Sequence, residues 1–268
     1  MRDEYEPRQY WERTLAEQPD ERGAAHPQLP RSFNRVLYKS VRASTDGLLR
    51  AHGLRPSSVL DVGFGTGIWL DYWRARGVPR VAGVDITDVA VERARDRYPG
   101  GELARVDIAS EPVPFAPFEL VSAMNVLLHI VDAAGFTGAL RAIRDALVDG
   151  GWLLALEPVA VRDVRLETGS TAGIRTLAEW RASLDAADFE LVDLRAATCL
   201  LGNPVDASTQ RRLDALLRTW FVVGRLAGGS EARGAGVAGA LYPLDRVCVR
   251  LARAGPSGKL LLARARAT

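Results

Sequence analysis

The residues best suited to chemistry begin with a run of alternating glycines. Gly63, Gly65 and Gly67 stand at every second position directly after a short strand-like stretch at 58–62. Glycine has no Cβ, so such a run lets the chain turn tightly and brings bare backbone amides close to a ligand. A helical pattern starts at Ile68, and the N-terminus of a helix favours a negatively charged group on that ligand.

The spacing of these glycines argues against a dinucleotide-binding site. A dinucleotide fingerprint has a glycine three positions after its second one, and this chain has Ile68 there. The stretch 61–67 instead resembles the first signature of the class I S-adenosylmethionine (SAM)-dependent methyltransferases, an acidic residue followed by three alternate glycines. The resemblance implies that the methionine part of SAM is bound by Asp61, Gly63, Phe64, Gly65 and Gly67.

Two further carboxyl groups follow at the ends of the next two predicted strands. Asp85 closes the strand 80–85, where the ribose of a nucleoside lies in a doubly wound fold. A carboxylate there can accept hydrogen bonds from both ribose hydroxyls, which suits NAD as well as SAM, and Ile86 is assigned to the same cofactor. The resemblance adds Asp107 for the adenine amino group and Ile108 for packing on the ring, with a turn residue as the alternative for Asp107.

The segment 118–129 resembles the strand-4 signature of the same family. Asn125 is assigned to the cofactor, and Glu119 stands where the family usually has Asp. His129 follows this strand at the carboxyl edge of the predicted sheet, so it is the candidate general base, with packing or capping of the next helix as the alternative. Arg175 either holds an anionic acceptor or is a solvated loop residue.

The elements that must position these residues alternate between strands and helices from residue 58 onwards. Strands separated by amphipathic helices of this length predict an α/β fold with a doubly wound, mostly parallel sheet. The resemblance to class I methyltransferases implies seven strands. We place them at 58–62, 80–85, 102–106, 120–124, 152–156, 189–194 and 259–263.

Two helical additions accompany the SAM-binding core, which we place at 56–197. Residues 1–55 read as helices that either pack on the sheet edge or form a lid over the cofactor. About sixty residues separate the sixth strand from the last one, so 198–257 is predicted to be a helical cap insertion before the final segment 258–268. The candidates for contact with the methyl acceptor in the lid are Tyr10, Trp11, Asn34 and Tyr38.

The predicted insertion contains two amphipathic patterns, and we expect it to share in the acceptor pocket. The glycine-rich part at 227–240 is predicted to be a flexible connector between them. The inward face of the second helix is predicted to carry Leu241, Leu244, Cys248 and Leu251.

Composition narrows the class of partner. The chain has 268 residues, of which 47% are hydrophobic and 25% charged, as in an ordinary globular protein. Its 35 basic residues are spread along the chain and nearly balanced by 33 acidic ones, which disfavours nucleic acid as a partner. No stretch reaches the ~18 consecutive apolar residues of a membrane span, so we expect no integral membrane association and a cytoplasmic location.

No metal ion is expected. The two cysteines, Cys199 and Cys248, are far apart and lack the spacing of metal ligands. The predicted fourth strand ends in Asn125, Val126 and Leu127, without the acid that holds magnesium in catechol-type methyltransferases.

The resemblance as a whole implies a methyltransferase acting on a small-molecule acceptor, with S-adenosylhomocysteine as the second product. Oxygen is the preferred target atom, and bacterial enzymes that tailor natural products or glycans are loosely similar. Three alternatives stay open: a carbon or nitrogen acceptor, a non-methylating SAM-binding enzyme such as a cyclase, and a binding protein with a vestigial pocket. The oligomeric state, monomer or homodimer, stays open as well.

Overall fold

The structure is a computed structural model that describes residues 6–20, 22–23, 26–115, 117–169, 171–252 and 254–267. Residues 1–5 of the predicted lid and residue 268 of the predicted last segment lie outside the described residues. The helices are α1 Pro7–Glu17, α2 Arg31–Ala51, α3 Ile68–Ala75, α4 Asp88–Arg97, α5 Ala133–Asp145, α6 Leu177–Asp185, α7 Gln210–Ala227 and α8 Glu231–Leu251. The strands are β1 Ser58–Val62, β2 Arg80–Asp85, β3 Leu103–Arg105, β4 Phe118–Met124, β5 Leu147–Glu157, β6 Val164–Arg165, β7 Phe189–Ala196, β8 Asp206–Ala207 and β9 Lys259–Ala265.

Seven of these strands form one sheet in the order β3-β2-β1-β4-β5-β9-β7. Neighbouring strands from β3 to β5 pair in parallel, whereas β9 lies antiparallel between β5 and β7. The prediction of a seven-stranded, mostly parallel, doubly wound sheet is therefore confirmed. The strand order reverses direction at β1, and ligands of such sheets bind at the carboxyl ends of the strands beside that point.

Helices cover both faces of the sheet. Because alternate side chains of a strand point to opposite faces, one strand contributes to apolar clusters on both of them. Val59 of β1 belongs to the apolar cluster that contains residues of α2, α3, α4 and α8. Leu60 and Val62 belong to the other cluster, which is built with α5 and α6. No helix in the described ranges combines the length and apolar character needed to cross a membrane.

The predicted insertion folds as two helices, but its connector was predicted wrongly. Helix α8 already begins at Glu231, so most of the glycine-rich stretch 227–240 is helical. The glycines allow close packing there: a Cβ on Gly234 would lie 2.7 Å from the Cβ of Pro30. The loop before α2 therefore packs directly against the backbone of α8.

The inward face of α8 also differs from the prediction. Leu244 is 58% exposed and Leu251 is 81% exposed, whereas the buried positions are Gly234, Ala238 and Asp245. Small side chains face inward because α8 lies close along α2, where leucines would keep the two backbones apart. Of the four predicted residues, Leu241 packs against the core and Cys248 is partly buried, whereas Leu244 and Leu251 point to solvent.

Asp245 holds the chain segment that follows β7. Its Oδ1 accepts hydrogen bonds from the backbone N–H groups of Cys199 and Leu200, both at 2.7 Å. Its Oδ2 accepts from the hydroxyl of Ser40 on α2 at 2.6 Å. One fully buried carboxyl group thus joins α2, α8 and the loop at 197–200.

Replacing Asp245 by Ala should destabilise the fold strongly. Two buried N–H groups and one hydroxyl would lose their acceptor, and each such loss costs ~1–3 kcal/mol. We expect the free energy of unfolding to fall by about 3 kcal/mol in urea titrations. Asp163→Ala at an exposed position is the matched control, and a loss no greater than in that control would contradict the assignment.

Candidate active site

A cavity of about 1120 Å³ opens at the carboxyl ends of β1, β2 and β4. Three residues at these strand ends lie in its wall. Gly63 follows β1, Asp85 is the last residue of β2, and Asn125 follows β4. Sites for one small molecule commonly have about 300–1000 Å³. The cavity is therefore large enough for a cofactor together with a second molecule.

The glycine run adopts a backbone that other residues rarely accept. Gly63, Gly65 and Gly67 have φ angles of 63°, 51° and 80°. A Cβ on Gly63 would lie 2.5 Å from a methyl carbon of Val126. Gly63 and Gly65 line the cavity, so a ligand can approach their bare backbone closely.

Phe64 and Gly67 belong to the same loop but do not line the cavity. The ring of Phe64 is buried beneath the loop, where a Cβ on Gly83 would lie 2.7 Å from it. Gly67 is the residue that precedes α3. The structure thus assigns these two predicted cofactor residues to the support of the loop.

Asp61 also lies behind the cavity wall, contrary to its predicted place. Its Oδ1 accepts a 2.6 Å hydrogen bond from the hydroxyl of Ser122, which in turn accepts one from the indole N–H of Trp73 at 2.9 Å. Oδ2 has no hydrogen-bond partner among the described residues. Burial raises the pKa of the Asp61 carboxyl to about 7. Asp61 is therefore a buried acid within β1, and the next residue, Val62, lines the cavity.

Asp85 lies in the wall, as predicted. Its Oδ1 accepts from the backbone N–H and the hydroxyl of Thr87, at 2.9 and 2.7 Å, and Oδ2 accepts from the N–H of Gly65 at 2.8 Å. A carboxylate offers about four acceptor positions, so about one remains for a ligand. The predicted pair of bonds to both ribose hydroxyls therefore reduces to one in this arrangement. Burial raises the pKa of the Asp85 carboxyl.

Ile86, Asp107 and Ile108 line the same part of the cavity. Asp107 accepts from the N–H of Ala109 at 3.0 Å and from the hydroxyl of Ser110 at 2.9 Å. Asp107 therefore stabilises a turn and also lines the cavity, and its contact with adenine stays a prediction. Ile86 and Ile108 supply an apolar surface on this wall, as an adenine ring requires.

Helix α1 lies over this half of the site. Glu12 accepts hydrogen bonds from the N–H groups of Asp88 and Val89 at the start of α4, both at 3.0 Å. Arg93 of α4 donates to the carbonyl of Leu15 at 2.6 Å. Tyr10 and Trp11, predicted from the sequence, line the cavity. Glu12 was missed, because its partners on α4 lie 76 and 77 positions away and no local pattern links them.

His129 lines the cavity in a single 3-10 turn at Leu127–His129. Its Nδ1 lies 2.8 Å from the carbonyl oxygen of Thr171. A carbonyl can only accept, so Nδ1 carries the proton and the Nε2 lone pair remains available. Burial lowers the pKa of His129, and the ring of Trp11 stands edge-on at 4.6 Å between centroids. A neutral imidazole of this tautomer has the properties of a general base.

Glu157, at the end of β5, fixes the turn that carries His129, although it was not among the predicted site residues. Its carboxyl group accepts from the N–H groups of Val126, Leu127 and Leu128 at 3.1, 2.8 and 3.0 Å. Burial raises the pKa of Glu157 to about 8, against the lowering effect of these three amides. An acid that closes a predicted strand was the available signal, as it was for Asp85.

Arg175 and Asn34 were predicted to contact the acceptor, and neither lines the cavity. Arg175 lies 3.6 Å over the ring of Phe136 and donates to the carbonyl of Ile130 at 2.6 Å, so it holds the segment that follows His129. Asn34 is fully buried and bonds the backbone of His26 through both ends of its amide. Both side chains are occupied with carbonyl or amide groups of the backbone.

The second half of the cavity is lined by α2 and by the segments 156–174 and 197–205. Tyr38 of α2 lies in this wall, as predicted. Of the predicted cap insertion, only 198–205 contributes, and no described residue of α7 or α8 lines the cavity. Among the described residues, no group of three or more His, Cys, Asp and Glu side chains is arranged to hold a metal ion.

These residues fit the cofactor that the sequence resemblance implies. A Cβ-free loop, a carboxylate with a remaining acceptor position and an apolar wall for a ring lie side by side in one cavity.

Asp85→Asn should weaken binding of S-adenosylhomocysteine by ~1.5–3 kcal/mol, about 10- to 100-fold in Kd, because a charge-assisted acceptor is lost. Calorimetry measures the loss, with the exposed Asp96→Asn on α4 as control. Unchanged affinity would remove Asp85 from the cofactor site.

Glu12→Ala should loosen α1 from α4. Two N–H groups at the start of α4 would lose their acceptor, which costs ~1–2 kcal/mol in comparable caps. If α1 closes the site, S-adenosylhomocysteine should then dissociate roughly 5- to 30-fold faster in surface plasmon resonance. Glu17→Ala, exposed on the same helix, is the control. Equal dissociation rates in the two variants would show that this contact does not hold the site closed.

Comparison with known proteins places the chain in a family. A family model described as a methyltransferase domain matches residues 33–195, more than half of the chain. A probable S-adenosylmethionine-dependent methyltransferase of Mycolicibacterium smegmatis is 30% identical over 149 residues, which cover 53% of this chain and 56% of the relative. The chain thus matches about half the length of that relative.

Two solved structures share the fold. One is the O-methyltransferase from a trans-AT polyketide synthase of Brevibacillus brevis in complex with S-adenosyl-L-homocysteine, with a TM-score of 0.53 and 15% identity over 87% of this chain and 73% of that one. The other is an S-adenosylmethionine-dependent methyltransferase of Clostridium acetobutylicum, with a TM-score of 0.53 and 10% identity over 85% of this chain and 92% of that one. Together with the matched family model and the seven-stranded sheet, these findings show that the chain belongs to the class I S-adenosylmethionine-dependent methyltransferases.

Proposed function

We propose that the protein transfers the methyl group of SAM to a hydroxyl oxygen of a small molecule, with His129 as the general base. The observation that carries this proposal is the Nδ1–H contact to Thr171, which leaves a basic Nε2 on a residue of the cavity wall. A hydroxyl acceptor gains from a base, whereas an amine can react without one. The position of His129 therefore favours oxygen over nitrogen as the target atom.

The residues of the site would have different roles in such a transfer. SAM, when bound, supplies an activated methyl group on a sulfonium. Gly63, Gly65 and Asp85 would hold it at the carboxyl edge of the sheet. The rate then depends mainly on holding the acceptor oxygen in line with the methyl carbon.

His129 would take the proton of the acceptor hydroxyl at Nε2 as the new bond to carbon forms. The carbonyl of Thr171 stabilises the resulting imidazolium, because it already accepts the hydrogen bond from Nδ1. Glu157 keeps the turn in place through three backbone N–H groups. Trp11 packs against the imidazole and helps to exclude water from it.

In this proposal the chain has four functional parts. Residues 1–55 contain the lid, whose helix α1 covers the cofactor half of the site. The core at 56–197 binds SAM, and its strands are completed by the segment 258–268. The cap at 198–257 contributes its first residues to the acceptor wall, while α7 and α8 support α2 from behind.

The test uses SAM with an isotopically labelled methyl group and a panel of phenols, glycosides and amines, with products identified by mass spectrometry. The wild-type protein should label an oxygen atom. His129→Gln should lower turnover ~10²–10⁴-fold, whereas His52→Gln should not, because His52 bonds Asp193 and does not line the cavity. Label on nitrogen or carbon, or near-normal turnover in His129→Gln, would overturn the proposal.

The pH dependence gives the same test a second readout. A base must be unprotonated, so turnover should rise with pH and reach a plateau above the pKa of His129. Burial lowers that pKa, so the midpoint of the acid limb should lie below the ordinary histidine value of about 6.5. The residual turnover of His129→Gln should lack this limb.

A further inference from the structure

The wall of the cavity carries charge on one part only. Its described Asp, Glu, Lys and Arg residues lie within 6–8 and 85–111 and at 132. These positions belong to the start of α1 and the residue before it, the ends of β2 and β3, the segment that follows β3 and the residue before α5. Those within 6–8 and 85–111 lie on the part of the cavity that we assign to the cofactor, whereas Asp132 caps α5, where it accepts from the N–H of Gly135 at 2.6 Å.

The remaining wall is neutral. It is formed by described residues within 23–41, 156–174 and 197–205 and by Gly258, and none of its lining residues is Asp, Glu, Lys or Arg. Its apolar surface comes chiefly from Leu37, Val41, Leu166, Ile174 and Val205. Its polar groups are uncharged hydroxyl, amide and imidazole groups.

Three charged residues close in sequence to this wall interact with one another behind it. Asp206 directly follows Val205 and is fully buried, where Arg162 donates to it at 2.7 Å. Lys259 directly follows Gly258 and is equally buried, with its Nζ donating to the carbonyl of Ser257 at 3.0 Å and 3.5 Å from Asp206. None of these three charged residues lines the cavity, so none of them can form a direct ion pair with a bound molecule.

His26 is the imidazole of this neutral wall, and it is held firmly. Asn34 accepts from its backbone N–H at 3.2 Å and donates to its carbonyl at 3.0 Å. The ring lies 5.3 Å from that of Trp220 on α7 and lines the cavity. Burial lowers the pKa of His26 to about 4, so the ring is neutral near pH 7. It can exchange one neutral hydrogen bond with a ligand but cannot balance an anion.

We propose that the methyl acceptor is an uncharged and mostly apolar molecule whose polar groups are hydroxyl, ether or carbonyl oxygens. The inference rests on the proposed function and extends it to the class of substrate. A charge taken out of water without a partner is strongly unfavourable. Phosphorylated, sulfated and carboxylated acceptors are therefore disfavoured by this wall, as are cationic amines.

The test compares neutral probes with their charged counterparts in the presence of saturating S-adenosylhomocysteine. The pairs are 1-naphthol with 1-naphthyl phosphate, and estradiol with estradiol 3-sulfate, each titrated by calorimetry. At least one neutral probe should bind, and its Kd should be at least about tenfold lower than that of its charged counterpart. Equal or tighter binding of the charged members, or no binding by either neutral one, would overturn the inference.

A charge placed in the wall should reverse the preference. Leu166→Arg should weaken binding of the neutral probe that binds and strengthen binding of its anionic counterpart. Leu244→Arg is the matched control, because Leu244 is exposed on α8 and does not line the cavity. An unchanged preference in Leu166→Arg would show that the probes bind elsewhere and would overturn the inference.

The first titration, of S-adenosylhomocysteine alone, separates this inference from the proposed function. If S-adenosylhomocysteine does not bind, the proposed function fails and the inference fails with it. If it binds and the anionic probes are preferred, only the substrate class is wrong.

Discussion

Carboxyl groups that accept hydrogen bonds from backbone N–H groups hold the loops around the cavity. Asp85 holds the glycine loop, Glu157 holds the turn of His129, and Glu12 caps α4 from the lid. Asp206 and Asp245 do the same for the loops at 161–162 and 199–200. Loops at the carboxyl edge of a parallel sheet leave donors without a sheet partner, and a buried donor must be satisfied. The site depends on this set of acids.

This constraint also shapes the chemistry of the site. An acid used to fix a loop is turned toward the backbone, so it presents little charge to the second half of the cavity. Asp206 forms ion pairs with Arg162 and Lys259 behind the wall. What remains in contact with an acceptor is apolar surface with a few neutral polar groups. A base such as His129 keeps its lone pair in such surroundings, because burial favours the uncharged imidazole.

Local patterns carried much of the prediction. The predicted bounds 58–62 and 80–85 agree with β1 and β2 of the structure, because the residue pattern of a strand is set by neighbouring residues. The glycine run indicated the cofactor loop for the same reason, since its positive φ angles need glycine whatever surrounds them. The prediction of a flexible connector at 227–240 was wrong. Glycine lowers helix propensity locally, but packing of α8 on α2 stabilises the helix and requires small side chains.

The sequence by itself determined the α/β class of the fold, the positions of most strands along the chain and the glycine loop, since all three depend on short-range spacing. Only the tertiary structure decided which side chains face the cavity. Arg175 and Asn34 bond the backbone instead of facing the cavity, and Glu12 and Glu157 hold elements around the site through partners 76 and 30 positions away. Such assignments depend on contacts between distant segments, and a sequence pattern records a side chain's type but not the direction in which the fold points it.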